Sequence, residues 1–274
     1  VKTITIVGGG WLGRPLAHYL ETIGHKVFVS KTSIEGVNAL EREHLRAFQL
    51  NLDDDVALVK EPLLERHSDI VIGCFPPGFR KGQGAEYAVQ WKKLVDACQH
   101  AKATRIVMVS STTVYPNQAK EMAEEDAALE LASDNDAFSA NAKIMLQAEQ
   151  YVKESGIPYG IVRCSGLVGP DRHPSRFASK LKQVSDLAPA NMLHLTDAIG
   201  AVSFVSTMEK SVVVNATTPN TVSKAEFYQA ALNSVGSDEN LPPIVHIADK
   251  RILADLLMDL GYRFHHQHTL ELVE

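Results

Sequence analysis

A chain of 274 residues can bury a sizeable core, either as one large α/β domain or as a nucleotide domain with a smaller companion. The 27 Lys and Arg against 33 Asp and Glu leave a formal charge of −6, spread without a basic cluster, which excludes nucleic acid as the expected partner and favours a small molecule. Cys74, Cys98 and Cys164 lie too far apart for a disulfide framework or a zinc knuckle. With no basic leader and no run of about 18 apolar residues, a soluble cytoplasmic protein without a membrane partner is expected.

Short β-branched runs alternate with helical stretches through residue 165, the pattern of βαβ units and a parallel sheet. In chain order, strands are expected at 3–7, 26–30, 47–50, 69–74, 105–110 and 159–163. Helices are expected at 12–23, 85–100 and 138–154, where apolar residues recur at three- and four-residue steps. Asp53-Asp54-Asp55 reads as a helix start, since carboxylates complement the helix dipole there. Residues 164–189 form an irregular stretch containing Gly, Pro and Arg, a candidate substrate region. A strand at 211–215 and helices at 224–235 and 250–260 complete the chain. His265, His266 and His268 lack acidic or cysteine partners at ligand spacing, so a solvated tail is expected and no metal.

Gly8, Gly10 and Gly13 satisfy G-x-G-x-x-G between the first strand and the first helix, the context that gives this motif meaning. The first glycine permits the tight turn, the second lets the backbone approach a pyrophosphate, and the third brings helix against strand. The helix N-terminus then stabilises the phosphate charge, with Trp11 and Leu12 beside it. A nicotinamide dinucleotide is the expected cofactor. The second strand usually ends in a carboxylate that holds the adenosine ribose, but here it ends Ser30-Lys31-Thr32-Ser33. Hydroxyls and a cation in that place favour NADP over NAD, because they remove repulsion toward a 2′-phosphate and offer it charged hydrogen bonds. The competing reading makes Lys31 an ordinary solvated strand-end lysine.

Ligands of an open parallel sheet lie at the carboxyl ends of the strands. Here those ends read Gly73-Cys74-Phe75, then Ser110-Ser111-Thr112-Thr113-Val114-Tyr115, then Arg163-Cys164-Ser165. The hydroxyl cluster suits a substrate hydroxyl or carbonyl, or equally a Ser/Thr turn cap. The segment from Ser110 to Tyr115 resembles the S-S-x-x-V-Y segment of the extended short-chain dehydrogenases/reductases, the superfamily of NAD(P)-dependent sugar-nucleotide epimerases and dehydratases. Val168-Gly169-Pro170-Asp171-Arg172 resembles their G-P-x-R loop, and Asn191-Met192-Leu193-His194-Leu195-Thr196-Asp197 their N-x-I-H-x-x-D segment.

The resemblance implies an α/β fold, a Rossmann-type doubly wound parallel sheet with a small C-terminal α/β substrate domain. On this chain the dinucleotide domain would span 1–163 and about 191–215, and the substrate domain about 164–190 and 216–274. It also implies that Asn51 and Leu52 flank the adenine, that Cys74 and Phe75 line the cofactor, and that a homodimer forms through the helices at 85–100 and 138–154. Its catalytic set is Ser/Thr, Tyr and Lys, with Tyr and Lys four residues apart. Ser111 takes the serine position and Lys143 the lysine position, also as a cofactor ligand, but Ser139 stands where the family has its tyrosine. A tyrosine hydroxyl titrates near pH 10 and exchanges protons with a sugar hydroxyl far more readily than a serine does. Tyr115 is a substitute acid to be weighed against a structural role. Arg172 and Arg176 offer forked donors to a diphosphate substrate such as a sugar nucleotide. Two functions follow: an NADP-dependent oxidoreductase or epimerase/dehydratase-like enzyme, or a catalytically silent NADP-binding regulatory or redox-sensing protein.

Overall fold

Alternating apolar runs and amphipathic helices build the first half of a computed structural model that describes residues 1–274. In order these are β1 (Thr3–Val7), α1 (Gly13–Thr22), β2 (Lys26–Lys31), α2 (Ile34–Glu41), β3 (Arg46–Gln49), α3 (Val56–Arg66), β4 (Ile70–Gly73), α4 (Gly84–His100) and β5 (Arg105–Ser111). Every residue of β4 is buried, as expected for a strand covered on both faces. In α1, Leu16, Ala17 and Leu20 turn inward at helical spacing. Helices α2 and α3 went unpredicted as full elements. Ser33 starts α2 by accepting a hydrogen bond from the Gly36 amide, and α3 begins just after the expected carboxylate run, with Asp55 at its N-cap position making no side-chain cap bond.

The second half continues with β6 (Glu121–Met122), α5 (Leu129–Ala132), α6 (Ala140–Lys153), β7 (Tyr159–Cys164), β8 (Gly166–Val168), α7 (Ser175–Ala178), β9 (Val184–Ser185) and β10 (Met192–His194). Then come α8 (Leu195–Ser206), β11 (Val212–Ala216), α9 (Lys224–Ser234), β12 (Ile244–Val245), β13 (Arg251–Ile252) and α10 (Asp255–Asp259). The expected helix at 250–260 is thus a short strand followed by a short helix. Arg251 and Leu253 amides bond the carbonyls of Lys120 and Met122, so pairing with β6 overrides local helical periodicity.

The central sheet has the order β11-β7-β5-β4-β1-β2-β3, with β5, β4, β1, β2 and β3 paired in parallel. The order reverses at β1, which places the ligand crevice of a doubly wound sheet beyond the ends of β1 and β4. The chain divides into two compact units. Unit 1 comprises residues 1–114, 140–162 and 202–213, and unit 2 comprises 115–139, 163–201 and 214–274. Segment 115–139, expected in the first domain, belongs to unit 2. No helix is long and apolar enough to cross a membrane.

Candidate functional site

The turn between β1 and α1 is fixed by the glycines themselves. Gly8 has φ 104°, and a Cβ there would come within 2.8 Å of the Phe75 amide nitrogen. A Cβ on Gly13 would collide with the Gly8 carbonyl oxygen. Gly10 differs: a Cβ there would meet nothing within 4 Å. The protein's own packing therefore does not require Gly10, whereas a pyrophosphate lying against the backbone would. Leu12, at the N-cap of α1, supplies no side-chain cap, and no acidic residue stands in the first turn to oppose an anion. These residues fit a dinucleotide phosphate. Trp11 is half-buried in the same turn.

Ser30 supports this turn from beneath. It is 2% exposed, its hydroxyl accepts from the Gly8 amide at 3.1 Å, and its carbonyl accepts from the Gly9 amide at 2.8 Å. Its hydroxyl is directed at the glycine turn, which leaves Lys31 as the cation of the β2 end. A Cβ on Gly36 would come within 3.0 Å of Lys31 Cγ, so the lysine stem lies across the first turn of α2. Across the β3 end, the Leu50 amide donates to the Lys31 carbonyl at 2.9 Å, and Gln49 Nε2 donates to the Thr32 carbonyl at 2.9 Å. Asn51 is half-buried and Leu52 buried, and Asn51 Oδ1 accepts from the Asp53 amide at 3.0 Å. At the β4 end, the Cys74 amide donates to the Val7 carbonyl at 2.8 Å, and the Phe75 ring packs against Tyr87 and Trp91 with centroids 5.6 and 5.0 Å apart.

Beyond β5 the hydroxyls are engaged with one another. Ser111 Oγ lies 2.9 Å from Thr113 Oγ1 and accepts from the Thr113 amide at 3.1 Å, a local turn that holds both groups at the strand end. Helix α6 addresses the same region through Glu149, fully buried, which accepts from Ser110 Oγ at 2.7 Å. Met145, one turn earlier on that face, is also buried. Lys143 is half-buried, and six residues from Glu149 it projects about 120° away round the helix. Ser139 is exposed just before α6. The periodicity of α6 predicts its apolar face, but nothing local marks Glu149 as part of it.

In unit 2, Tyr115 is enclosed rather than presented. It is 2% exposed, and its hydroxyl donates to Asn215 Oδ1 at 2.5 Å and accepts from Arg163 Nη1 at 3.1 Å. Burial pushes its phenol up to about 12, against the opposing pull of Arg163. This geometry opposes Tyr115 as a proton donor to substrate and supports the structural alternative. Arg163, also fully buried, donates further to the carbonyls of Glu124 at 2.8 Å and Ala127 at 3.0 Å. Asn215 completes the hub by donating from Nδ2 to Leu253 and from its amide to Glu124 Oε1. In the irregular loop, Asp171 has φ 64°, and Arg176 Nη1 donates back to the Asp171 carbonyl at 3.1 Å. Arg172 and Arg176 both lie in this loop, and both are exposed.

The C-terminal histidines are not a solvated tail. Asp197, fully buried, accepts from Tyr262 Oη at 2.7 Å and from the amides of His265 and His266 at 2.8 and 3.1 Å. The His266 ring stands 4.6 Å from that of His194, whose pKa falls below the usual value, first through burial and then through neighbouring His266. A buried carboxylate needs donors, and the sequence could not reveal that this segment supplies them.

A family model described as the NAD dependent epimerase/dehydratase family matches residues 4–192. Protein YeeZ of Escherichia coli (strain K12) is 29% identical over 207 residues, 75% of this chain and 73% of that protein. A dTDP-glucose 4,6-dehydratase from Bacillus anthracis str. Ames, solved with NAD, superposes with a TM-score of 0.77 at 17% identity, covering 100% of this chain and 95% of that one. The Bordetella bronchiseptica enzyme WbmG, solved with NAD and UDP, has a TM-score of 0.77 at 18% identity, with coverage of 98% and 93%. At such identities these structures establish the shared fold.

Proposed function

The chain belongs to the NAD dependent epimerase/dehydratase family, and from that premise we propose that it is an NADP(H)-binding oxidoreductase or epimerase/dehydratase-like enzyme acting on a sugar-nucleotide-like carbonyl or alcohol. The observation that carries the reading is Gly10, whose missing side chain serves no neighbour in the protein and suits a pyrophosphate held against the backbone. Lys31 supports NADP(H) over NAD(H): its stem rests on Gly36, and a 2′-phosphate would gain a charged partner there. The relatives solved with NAD make NADH the competing cofactor.

A bound nicotinamide would supply or accept the hydride. Ser111, held in its turn by Thr113, would hydrogen-bond the reacting oxygen of the substrate, and Lys143 the nicotinamide ribose. Arg172 and Arg176 would take a diphosphate with forked donors. Two copies would associate through α4 and α6, where Val89 is exposed. The test is titration with NADPH and NADH, followed by absorbance of the reduced cofactor over a panel of sugar nucleotides and simple carbonyls. NADPH binding about tenfold tighter than NADH, with turnover of one class, is expected. Failure to bind either cofactor contradicts the reading.

A second reading is favoured by the enclosure of Tyr115, the tyrosine weighed as a substitute acid. With Ser139 at the family tyrosine position, the chain would bind NADP(H) without turnover and report on cofactor state. NADPH binding with no product on the whole panel, and product appearing in a Ser139→Tyr variant, is the outcome that selects it.

A further inference from the structure

The loop that leaves β3, residues 51–55, is gripped by a helix distant in sequence. Lys93, on α4, donates from Nζ to the carbonyl of Leu52 at 3.1 Å and to that of Asp54 at 2.9 Å. One turn earlier on the same helix, Gln90 Nε2 donates to Asp53 Oδ1 at 2.8 Å. The Asp54 amide donates to the Asn51 carbonyl at 3.2 Å, and the Leu50 amide ties the base of the loop to Lys31. Three carboxylates stand in this loop, yet the ammonium is placed on two backbone carbonyls. Charge-assisted bonds to neutral carbonyls fix peptide planes, whereas a surface ion pair would leave the backbone free.

In a doubly wound sheet the adenosine half of a dinucleotide lies over the β2 and β3 ends, so this loop borders the base. Resting on the cofactor reading above, we propose that Lys93 is a positioning residue for the adenosine end: it holds the Leu52 and Asp54 carbonyls and thereby presets the loop against which the base packs. A preset loop loses less freedom on binding, and the gain belongs to the adenosine half alone. Lys93 touches neither the glycine turn nor Ser111, so its effect should not reach the nicotinamide half.

The experiment measures dissociation constants of wild type, Lys93→Met and Lys93→Arg for NADPH, for 2′,5′-ADP and for reduced nicotinamide mononucleotide. In Lys93→Met, NADPH and 2′,5′-ADP should each weaken by about tenfold, the mononucleotide should be unchanged, and Lys93→Arg should restore most of the loss. Equal weakening of all three ligands would mark a general structural defect, and unchanged 2′,5′-ADP would show that the loop does not serve the adenosine; either overturns the proposal. Wild type that binds none of the three overturns the cofactor reading itself, a result distinct from wild-type binding that Lys93→Met leaves intact.

Discussion

The glycine turn of unit 1 and the Arg163 hub of unit 2 both fix a stretch of backbone, by opposite means. Around Gly8 and Gly13 the chain closes on itself because side chains are missing, and Ser30 completes the turn with one hydroxyl. Around Arg163 a full guanidinium is buried, and the carbonyls of Glu124 and Ala127 and the Tyr115 hydroxyl converge on it. The first arrangement leaves an open face at Gly10; the second is closed. The tyrosine weighed as a substitute acid, Tyr115, thus sits in a closed centre.

The largest expected effect lies in the hub. Arg163→Met leaves three acceptors, at buried or part-buried bonds, without this donor and should lower unfolding free energy by about 3 kcal/mol in urea titration. A loss below about 1 kcal/mol would mean that the hub does not hold its strands. Next come the glycines, which separate packing from binding. Gly13→Ala should cost about 2 kcal/mol of stability through its clash with Gly8, and weaken NADPH as well. Gly10→Ala should leave stability unchanged while weakening NADPH at least tenfold, because only the ligand needs that space. If Gly10→Ala binds NADPH normally, the open face has no role in binding.

Tyr115→Phe should cost about 1 kcal/mol through the lost bonds to Asn215 and Arg163, with NADPH affinity and any turnover retained. A roughly hundredfold fall in turnover at unchanged stability would instead restore Tyr115 as an acid. The smallest effect concerns His194. Burial lowers its folded pKa below 6.5, so as pH falls through 6.5 the unfolded chain takes up a proton that the folded one resists. Stability of the wild type should therefore decline between pH 6.5 and the folded value more steeply than that of His194→Gln, followed by melting temperature against pH.

What was legible in the sequence is what local chemistry decides. The strand expected at 3–7 is β1, and the glycines define the turn after it, because β-branched runs and left-handed turns are local properties. The hub was illegible because its partners lie 36 to 48 residues from Arg163 along the chain, and burial of a charge is set by that distant convergence. A serine at the end of the second strand, as Ser30 is, reads as a phosphate ligand. Only the bond it accepts from the Gly8 amide, 22 residues back along the chain, reveals that its hydroxyl faces the turn. Lys93 escaped notice for the same reason: a helix lysine is ordinary until the carbonyls it meets are known.

The most direct measurement of the central claim is amide hydrogen exchange with and without saturating NADPH. Slower exchange concentrated at residues 8–13 and around Lys31 is predicted, since a bound dinucleotide phosphate would cover the start of α1 and the β2 end. Unchanged exchange across residues 8–13 while NADPH is demonstrably bound would contradict it.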